Sequence, residues 1–288
     1  MQLSDELKNS IGASVATALA EDVGDGDLTA LLVDADAVVG ATIIARESLI
    51  LAGQPWVDEV FAQLDAKIII DWYVGDGQAA EADDVICKLV GPARELLTGE
   101  RTALNFLQTL SSTATITASY VRAVEGTGVR ILDTRKTLPG LRLAQKYAVA
   151  CGGGSNHRVG LFDAILIKEN HIRSAGSIAA ALQRANDLDA DVLIEVEVES
   201  HEELLEALHG GATRILLDNF ALQDLRKAVA TNKSYGYVAA ELEASGNITL
   251  ESIREIAETG VDYISTGALT KNINAIDFSM LFSIDGAW

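Results

Sequence analysis

A basic segment in the middle of an acidic chain carries the residues most suited to chemistry. Residues 130–173 contain eight Lys or Arg residues and three acidic ones, whereas the 288-residue chain has a formal net charge of −20. Basic side chains held against the net charge of a protein indicate a bound anion with several charges. The same segment contains Gly152-Gly153-Gly154, which indicates a backbone that passes close to a neighbour or presents amides to an anion.

Four side chains of this segment suit an anionic substrate. Arg135 and Lys136 directly follow a predicted strand at 129–133; the planar Arg fork matches a carboxylate, and Lys offers a compact charge for carboxylate or phosphate. A pair of solvated surface residues is the alternative for each. His157 and Arg158 either form such a surface pair or bind an aromatic acid, the histidine ring by a hydrogen bond and the arginine by its planar guanidinium. Their basic neighbours favour a binding role for Arg135 and Lys136, and both interpretations of His157 and Arg158 stay open.

Lys168 ends the apolar run AILIK, and a lysine at that place has two chemical interpretations. It forms a Schiff base with a carbonyl substrate, or it is a fixed cation for an anionic one. The cationic neighbours favour the second. His171 follows shortly after, and a structural, hydrogen-bonded role fits it at least as well as a ligand role.

Two carboxylates end the next two predicted strands. Glu197 closes the strand at 192–197, and Asp218 closes the strand at 214–218. Carboxylates among cations suit a magnesium ion that also holds phosphate oxygens, and they equally suit sugar hydroxyls. Glu195 shares the parity of Glu197, so both face the same side of the strand, and spacing does not separate their roles. The spacing matches no zinc signature.

Two segments of small residues follow the last two predicted strands. They are Ser245-Gly246-Asn247 and Gly267. A β/α barrel often binds phosphate at this place, on loop amides and a helix N-terminus. Ser245 could instead be a plain helix cap, but two such loops side by side favour a phosphate site.

The chain after residue 128 alternates strands and helices with short connections, which implies parallel strands. Strands are predicted at 129–133, 164–168, 192–197, 214–218, 237–243 and 262–266, and helices at 139–150, 177–187, 201–209, 221–230 and 249–259. Polar residues or glycine at all six carboxyl ends indicate one shared mouth, as in a β/α barrel. Six strands are fewer than eight, so the predicted barrel is incomplete.

The first part of the chain has a different pattern. Ser4 predicts the N-cap of a helix that reaches about Ala20. Short apolar runs broken by glycine between residues 38 and 97 predict antiparallel strands and turns. The segment Thr98-Gly99-Glu100 is predicted to open a long helix that reaches Val121 or beyond.

Composition excludes several classes of protein. The negative charge argues against duplex nucleic acid and anionic membrane as partners. The longest apolar runs are too short for a membrane span, and the first residues lack a secretory pattern. Cys87 and Cys151 form no metal-type pair and suit a reducing cytoplasm. The chain has no Walker loop and no complete dinucleotide fingerprint.

Long motifs of this chain resemble the bacterial type of the quinolinate phosphoribosyltransferases, also called carboxylating nicotinate-nucleotide pyrophosphorylases. The motifs include EDVGDGDLTA, LLTGERTALNFLQTLS, ILDTRKTLPGLR, KYAVACGGGSNHRVGLFDAILIKENHI, EVEVES, ILLDNF, EASGNIT and ISTGALTK. They extend over nearly the whole chain, and motifs of this length are specific.

This resemblance implies an α/β protein of two domains. Residues 1–112 would form an N-terminal α/β sandwich with an antiparallel sheet, and residues 113–271 an open, incomplete β/α barrel of the TIM-like type. The tail at 272–288 would join the first domain. The resemblance also implies a homodimer in which Arg101 completes the active site of the partner subunit.

The resemblance further implies site residues and a cofactor. The predicted substrate-binding residues are Arg101, Thr134, Arg135, Lys136, His157, Arg158, Lys168, Glu197, Asp218, Ser245, Gly246, Asn247 and Gly267. The predicted catalytic residues are Lys136, Lys168, Glu197 and Asp218. Glu197 and Asp218 would hold Mg²⁺, directly or through substrate phosphates. Some members have glycine in place of Asn247, whose side chain we assign no role.

The implied reaction joins quinolinate to phosphoribosyl pyrophosphate and releases nicotinate mononucleotide, pyrophosphate and carbon dioxide. It is a step of de novo NAD biosynthesis, and Lys136 is a candidate donor of the final proton. Three alternatives stay open: a related pyridine phosphoribosyltransferase of the molybdenum-transport-associated type, a Schiff-base lyase that uses Lys168, and a polyanion-binding protein with the same fold.

Overall fold

The computed structural model describes residues 3–235 and 239–283, and the chain divides into two compact units. The first unit contains the residues up to Ala118, Leu138–Gly153 and the residues from Asn272 onward. The second unit contains Ser119–Thr137 and Gly154–Lys271. None of the helices described is long and apolar enough to span a lipid bilayer.

Helices and strands follow each other along the described residues in this order: α1 (Asp5–Val23), β1 (Val38–Ala45), β2 (Leu49–Ile50), α2 (Gln54–Leu64), β3 (Ile69–Trp72), β4 (Ala79–Ala80), β5 (Val85–Pro92), α3 (Ala93–Ala123), β6 (Arg130–Leu132), α4 (Arg142–Cys151), β7 (Ala164–Ile167), α5 (Glu169–Ala175), α6 (Ile178–Asn186), β8 (Leu193–Val198), α7 (His201–His209), β9 (Arg214–Asp218), α8 (Leu222–Ser234), β10 (Glu241–Ser245), α9 (Ile253–Ala257), β11 (Tyr263–Ser265), α10 (Ala268–Lys271) and β12 (Phe278–Ser283). A short 3₁₀ turn at Ala30–Leu32 lies between α1 and β1.

The first unit is built on an antiparallel sheet, as predicted from the broken apolar runs. Its strand order is β12-β1-β5-β3, and β2 pairs separately with β4. Thr42 on β1 lies opposite Lys88 on one side and Leu281 on the other, so β12 extends the sheet. Trp56 and Phe61 are buried in the core of this unit.

Two helices of the first unit begin as their local chemistry requires. The Ser4 hydroxyl accepts a hydrogen bond from the Leu7 amide at 3.2 Å, which confirms the predicted N-cap of α1. The sequence prediction missed α2 between two apolar runs. Gly53 precedes that helix and Pro55 lies in its first turn, a combination that favours a helix start.

The predicted start of α3 at Thr98-Gly99-Glu100 is wrong, because the helix begins at Ala93 and continues through that segment. A Cβ at Gly99 would lie 2.6 Å from the Phe61 ring and 2.8 Å from a Leu64 methyl. Close packing between helices therefore selects this glycine, not a helix boundary. The helix also continues unbroken through residue 112, and the domain division there stays a prediction.

The second unit is a six-stranded parallel sheet with the order β6-β11-β10-β9-β8-β7, flanked by helices. It agrees with the predicted open, incomplete barrel, in which β6 and β7 are the two edge strands. The fifth strand begins at Glu241 instead of 237, since the Asn232 side chain bonds both backbone groups of Ala240 just before it. Positions 237 and 238 of that prediction lie outside the described residues.

In the triple-glycine run, Gly152 allows a close approach to α3, and the amides of Gly152 and Gly153 are already bonded within the protein. A Cβ at Gly152 would lie 2.4 Å from the carbonyl oxygen of Ala114 and 2.7 Å from the Cβ of Thr117. The amides of Gly152 and Gly153 donate to carbonyl oxygens of α4, at Ala148 and Ala150, so neither is available to an anion. The expectation of an amide cradle at these two residues is therefore wrong.

We expect Gly152→Ala to lower the free energy of unfolding by about 2 kcal/mol, because the new methyl group collides with backbone. Gly12→Ala is the matched control in α1, where a Cβ would meet only a Glu59 oxygen at 3.6 Å. That change should raise stability by about 0.5–1 kcal/mol through helix propensity. Urea unfolding followed by tryptophan fluorescence measures both, and equal effects of the two changes would contradict the packing account.

Candidate active site

A cavity of roughly 260 Å³ opens at the carboxyl ends of the parallel strands of the second unit. Its wall is formed by Thr134, Arg135, Lys136, His157, Arg158, Leu166, Lys168, Glu197, Leu216, Asp218, Glu243, Ser245 and Ser265. Nine of the thirteen predicted substrate-binding residues are in that wall: Thr134, Arg135, Lys136, His157, Arg158, Lys168, Glu197, Asp218 and Ser245. Arg101 is exposed on α3 in the first unit.

Strand register explains why these side chains face one cavity. Glu197 on β8 lies opposite Leu216 on β9, and Asp218, two residues later, lies opposite Ser245 on β10. Ser245 in turn lies opposite Ser265 on β11. Because side chains two residues apart face the same side of a strand, one parity on each strand supplies the wall.

Two arginines of the wall repel each other. Burial lowers the pKa of the Arg158 guanidinium, and the charge of Arg135 lowers that pKa further. The Arg158 guanidinium donates a hydrogen bond to the Ala164 carbonyl at 3.2 Å. An anion placed between the two guanidinium groups would relieve the repulsion, so the arrangement is suited to a carboxylate.

The loop that carries Arg158 is held by two carboxylates. Asp133 is fully buried and accepts a hydrogen bond from the His157 amide at 2.8 Å. Asp163 accepts from the amides of Val159 and Gly160 at 2.7 and 2.8 Å. These bonds restrict the loop backbone and hence the place of the guanidinium. The sequence interpretation assigned neither acid a role.

Lys168 contacts the Glu197 carboxylate and begins α5. Its amide donates to Nδ1 of His171 at 2.9 Å, so His171 has a structural role at the start of that helix. The side chain of Lys168 is 46% exposed, and that of Glu197 is 14% exposed.

The loop after β10 packs tightly on the loop after β9. A Cβ at Gly246 would lie only 2.2 Å from Oδ1 of Asn219, and the backbone there has φ +97°. The Asn247 side chain donates to the same Oδ1 at 3.1 Å, and the Asn219 amide group donates to Asp218 at 2.9 Å. Sequence analysis missed Asn219, although its place directly after a strand-ending Asp is a usable signal.

Gly267 lies against the stem of Lys136. A Cβ at this glycine would lie 3.1 Å from Cδ of Lys136 and 3.5 Å from Oγ1 of Thr134. The Lys136 amide donates to that Thr134 oxygen at 3.0 Å, and the Thr270 hydroxyl donates to the Lys136 carbonyl at 2.7 Å. The predicted positions Gly246, Asn247 and Gly267 therefore lie beside residues of the wall.

A buried acidic group lies below the cations. Nε2 of His157 is 3.0 Å from Glu195 and 3.7 Å from Glu243, and both glutamates are almost fully buried. Burial and the charge of Glu195 raise the pKa of Glu243, while His157 and Arg214 act in the opposite direction. Sequence analysis left Glu195 without a role and missed Glu243, although a charged residue inside an apolar strand is a signal.

Two sets of carboxylates could hold a magnesium ion, and one of them fits. Mg²⁺ prefers oxygen ligands and keeps several waters. His157, Glu195 and Glu243 could also hold a metal, because their ligand atoms lie within 4.8 Å of one another. This set fits Mg²⁺ less well, since one ligand is a nitrogen, the glutamates are buried away from water, and Arg214 contacts Glu243. Glu197 and Asp218 line the open cavity and fit the ion better.

Comparison with known proteins supports the same family for both parts of the chain. The family model described as "Quinolinate phosphoribosyl transferase, N-terminal domain" matches residues 27–111, and the C-terminal domain model of the same family matches residues 113–281. A protein of Bacillus subtilis named "Probable nicotinate-nucleotide pyrophosphorylase [carboxylating]" is 42% identical, over 90% of this chain and 89% of that protein.

Solved structures agree in fold. The nicotinate-nucleotide pyrophosphorylase from Francisella tularensis superposes with a TM-score of 0.93 at 48% identity and covers 98% of both chains. NadC from Streptococcus pyogenes has a TM-score of 0.92 at 36% identity, over 98% of this chain and 99% of that one. The chain therefore belongs to the quinolinate phosphoribosyltransferase family.

Proposed function

We propose that this chain is a decarboxylating quinolinate phosphoribosyltransferase of de novo NAD biosynthesis. It transfers the phosphoribosyl group of phosphoribosyl pyrophosphate to the ring nitrogen of quinolinate. The products are nicotinate mononucleotide, pyrophosphate and carbon dioxide. The observation that carries the proposal is the set of four cations in one cavity of an acidic member of this family: Arg135, Lys136, Arg158 and Lys168.

Quinolinate binds against the arginines and Lys168. Its two neighbouring carboxylates match the planar forks of Arg135 and Arg158, which repel each other without an anion. Lys168 adds a third positive charge from the adjacent strand end. This arrangement selects a doubly charged aromatic acid over a neutral pyridine or a monocarboxylate.

The electrostatic requirement explains the number of cations. Two like unit charges 4 Å apart repel by about 1 kcal/mol in water and about 4 kcal/mol at an effective dielectric of 20. Quinolinate and the diphosphate together bring several negative charges into a cavity of roughly 260 Å³. Fixed Arg and Lys side chains convert that repulsion into attraction and stabilise the departing pyrophosphate.

The phosphoribosyl side of the cavity carries different groups. Ser245, Gly246 and Gly267 bind the phosphate with loop amides and a hydroxyl, at the place where barrels bind phosphate. Glu197 and Asp218 orient the ribose hydroxyls as positive charge develops on the anomeric carbon. The same two carboxylates would hold Mg²⁺, which when bound neutralises phosphate charge.

Decarboxylation follows from the charge that the transfer creates. Ribosylation turns the ring nitrogen into a cation, and this cation stabilises the carbanion left when the adjacent carboxylate departs as carbon dioxide. No residue needs to act as a nucleophile. Lys136 lies in the wall and donates the final proton to that ring carbon.

We also propose the assembly and location of the enzyme. The family resemblance supports a homodimer in which Arg101, exposed on α3, contributes to the partner's cavity. Cys87 and Cys151 are free thiols, which supports a cytoplasmic location.

Release of labelled carbon dioxide from carboxyl-labelled quinolinate, dependent on phosphoribosyl pyrophosphate, tests the proposed reaction. Arg158→Gln should raise KM for quinolinate at least about ten-fold and KM for phosphoribosyl pyrophosphate less than about two-fold, because the lost fork contacts only the acid. Arg226→Gln, an exposed change on α8, is the control and should behave as wild type. Equal KM changes for both substrates would contradict the placement of quinolinate, and an absence of carbon dioxide release would contradict the reaction.

The shared active site predicts complementation between two inactive variants. Arg101→Ala and Lys136→Ala should each lose nearly all activity, because each removes a charge from every site of the dimer. After subunit exchange, one of the two sites of each mixed dimer has both residues, so a mixed dimer should have about half of wild-type activity, and a randomly exchanged sample about a quarter. Exchange proven by mass spectrometry without any recovery would exclude a site shared in this way.

The phosphate loop predicts a difference between two glycines with left-handed backbone. Gly246→Ala should raise KM for phosphoribosyl pyrophosphate about ten-fold or more, because the new methyl group displaces Asn219 and the loop amides. Gly260→Ala has the same type of backbone strain, at φ +93°, but only Val229 and Lys233 side-chain atoms near the new Cβ. Steady-state kinetics that changed equally in both variants would assign the effect to strain alone.

A further inference from the structure

The His157 ring has one nitrogen committed to its own backbone neighbour. The amide of Arg158 donates to Nδ1 of His157 at 2.7 Å. A nitrogen that accepts a hydrogen bond carries no proton, so this contact assigns the neutral ring with its proton on Nε2. The protonated ring would place two N–H groups against each other.

The other ring nitrogen faces two buried carboxylates. Nε2 of His157 lies 3.0 Å from Oε2 of Glu195 and 3.7 Å from Oε2 of Glu243. Glu195 and Glu243, the glutamate pair, are 1% and 0% exposed. Neither oxygen of Glu195 makes an aligned hydrogen bond within the described residues. The negative field of the pair therefore favours a proton on Nε2, in agreement with the Nδ1 contact.

Arg214 holds the glutamate pair in place from the opposite side. Its Nη2 donates to Glu243 at 3.1 Å, and its Nε lies 3.4 Å from Oε1 of Glu195. The guanidinium also stacks over the Tyr263 ring at 3.4 Å from the centroid. All three residues lie on neighbouring strands: Glu195 on β8, Arg214 on β9 and Glu243 on β10. The His157 ring therefore contacts a rigid surface.

We infer that Glu195 and Glu243 are positioning residues that hold His157 as its Nε2–H tautomer, with Nδ1 bound to the Arg158 amide. The ring then donates no hydrogen bond to a substrate carboxylate. Its contribution is to fix the backbone from which the Arg158 guanidinium reaches into the cavity. This inference rests on the proposed function for its kinetic consequence, and on the geometry alone for the tautomer.

A metal ion on Nε2 is the competing use of the same three side chains. The charge balance disfavours it, since Arg214 already contacts both carboxylates and would face the ion directly. The two arrangements differ in an observable way, because a metal on Nε2 removes the proton that the tautomer requires.

Long-range ¹H–¹⁵N NMR of the ¹⁵N-histidine-labelled full chain reads the tautomer directly. The His157 signals are assigned by their loss in His157→Asn. We expect an unprotonated Nδ1 and a protonated Nε2 in the wild type, with and without quinolinate and with and without added Mg²⁺ or Zn²⁺. A proton on Nδ1, or Nε2 signals that show metal binding, would overturn the inference.

Kinetics of a matched pair of variants test the consequence for the reaction. Glu195→Gln keeps the size of the side chain and should release the tautomer and raise KM for quinolinate about ten-fold, with less than about a two-fold change for phosphoribosyl pyrophosphate. Glu241→Gln is the control, because Glu241 accepts a hydrogen bond from Nη1 of the same Arg214 at 3.0 Å. Its side chain is half exposed, and no described interaction joins it to His157. It should keep the wild-type tautomer and both KM values.

Glu243→Gln provides a second variant if Glu195→Gln fails to fold, with the same expected KM difference. Unchanged NMR signals and unchanged quinolinate KM in the folded variants would overturn the positioning role. Failure of the proposed function has a different signature, since the wild type would then release no carbon dioxide from quinolinate while the tautomer assignment stood.

Discussion

Mutual repulsion between Arg135 and Arg158 is the interaction on which the rest of the site depends. Both side chains lie in one cavity, and the charge of one disfavours the charge of the other. The two side chains stay close to each other because the fold fixes the backbone at both positions. Arg135 follows β6, and Arg158 lies in a loop fastened by Asp133 and Asp163.

Charge is arranged in two layers along the strands. Cations lie at the mouth of the cavity, and the buried Glu195 and Glu243 lie two residues before Glu197 and Ser245 on β8 and β10, in contact with Arg214. His157 lies between the layers and connects them. Contacts with Arg214 offset the negative charge of these two glutamates, of which Glu243 also forms part of the cavity wall. The acidic surface of the whole protein adds a general field that only the cavity reverses.

How much the sequence predicts depends on whether a residue acts alone or through a neighbour. Lys168, Glu197 and Asp218 were predictable because each follows an apolar strand, where parallel strands present their ends to one mouth. Glu243 was missed because its strand was placed too early, which left Ser245 in a loop instead of on β10 opposite Asp218.

Other features depend on contacts that a linear pattern does not contain. Gly99 was taken as a helix start because a glycine for close packing and a glycine for a boundary look the same in sequence. The inferred tautomer of His157 depends on an amide and two distant glutamates, and the proposed role of Arg101 depends on a second copy of the chain. These roles come from tertiary or quaternary geometry, which periodicity and composition do not encode.

The structure of the protein with quinolinate bound is the most direct test of the central claim, that a fixed group of cations at the strand ends receives a dicarboxylate. The account predicts both carboxylates in the cavity of the second unit, in contact with Arg135, Arg158 and Lys168. Quinolinate bound elsewhere, or bound there with its carboxylates turned away from these side chains, would contradict it.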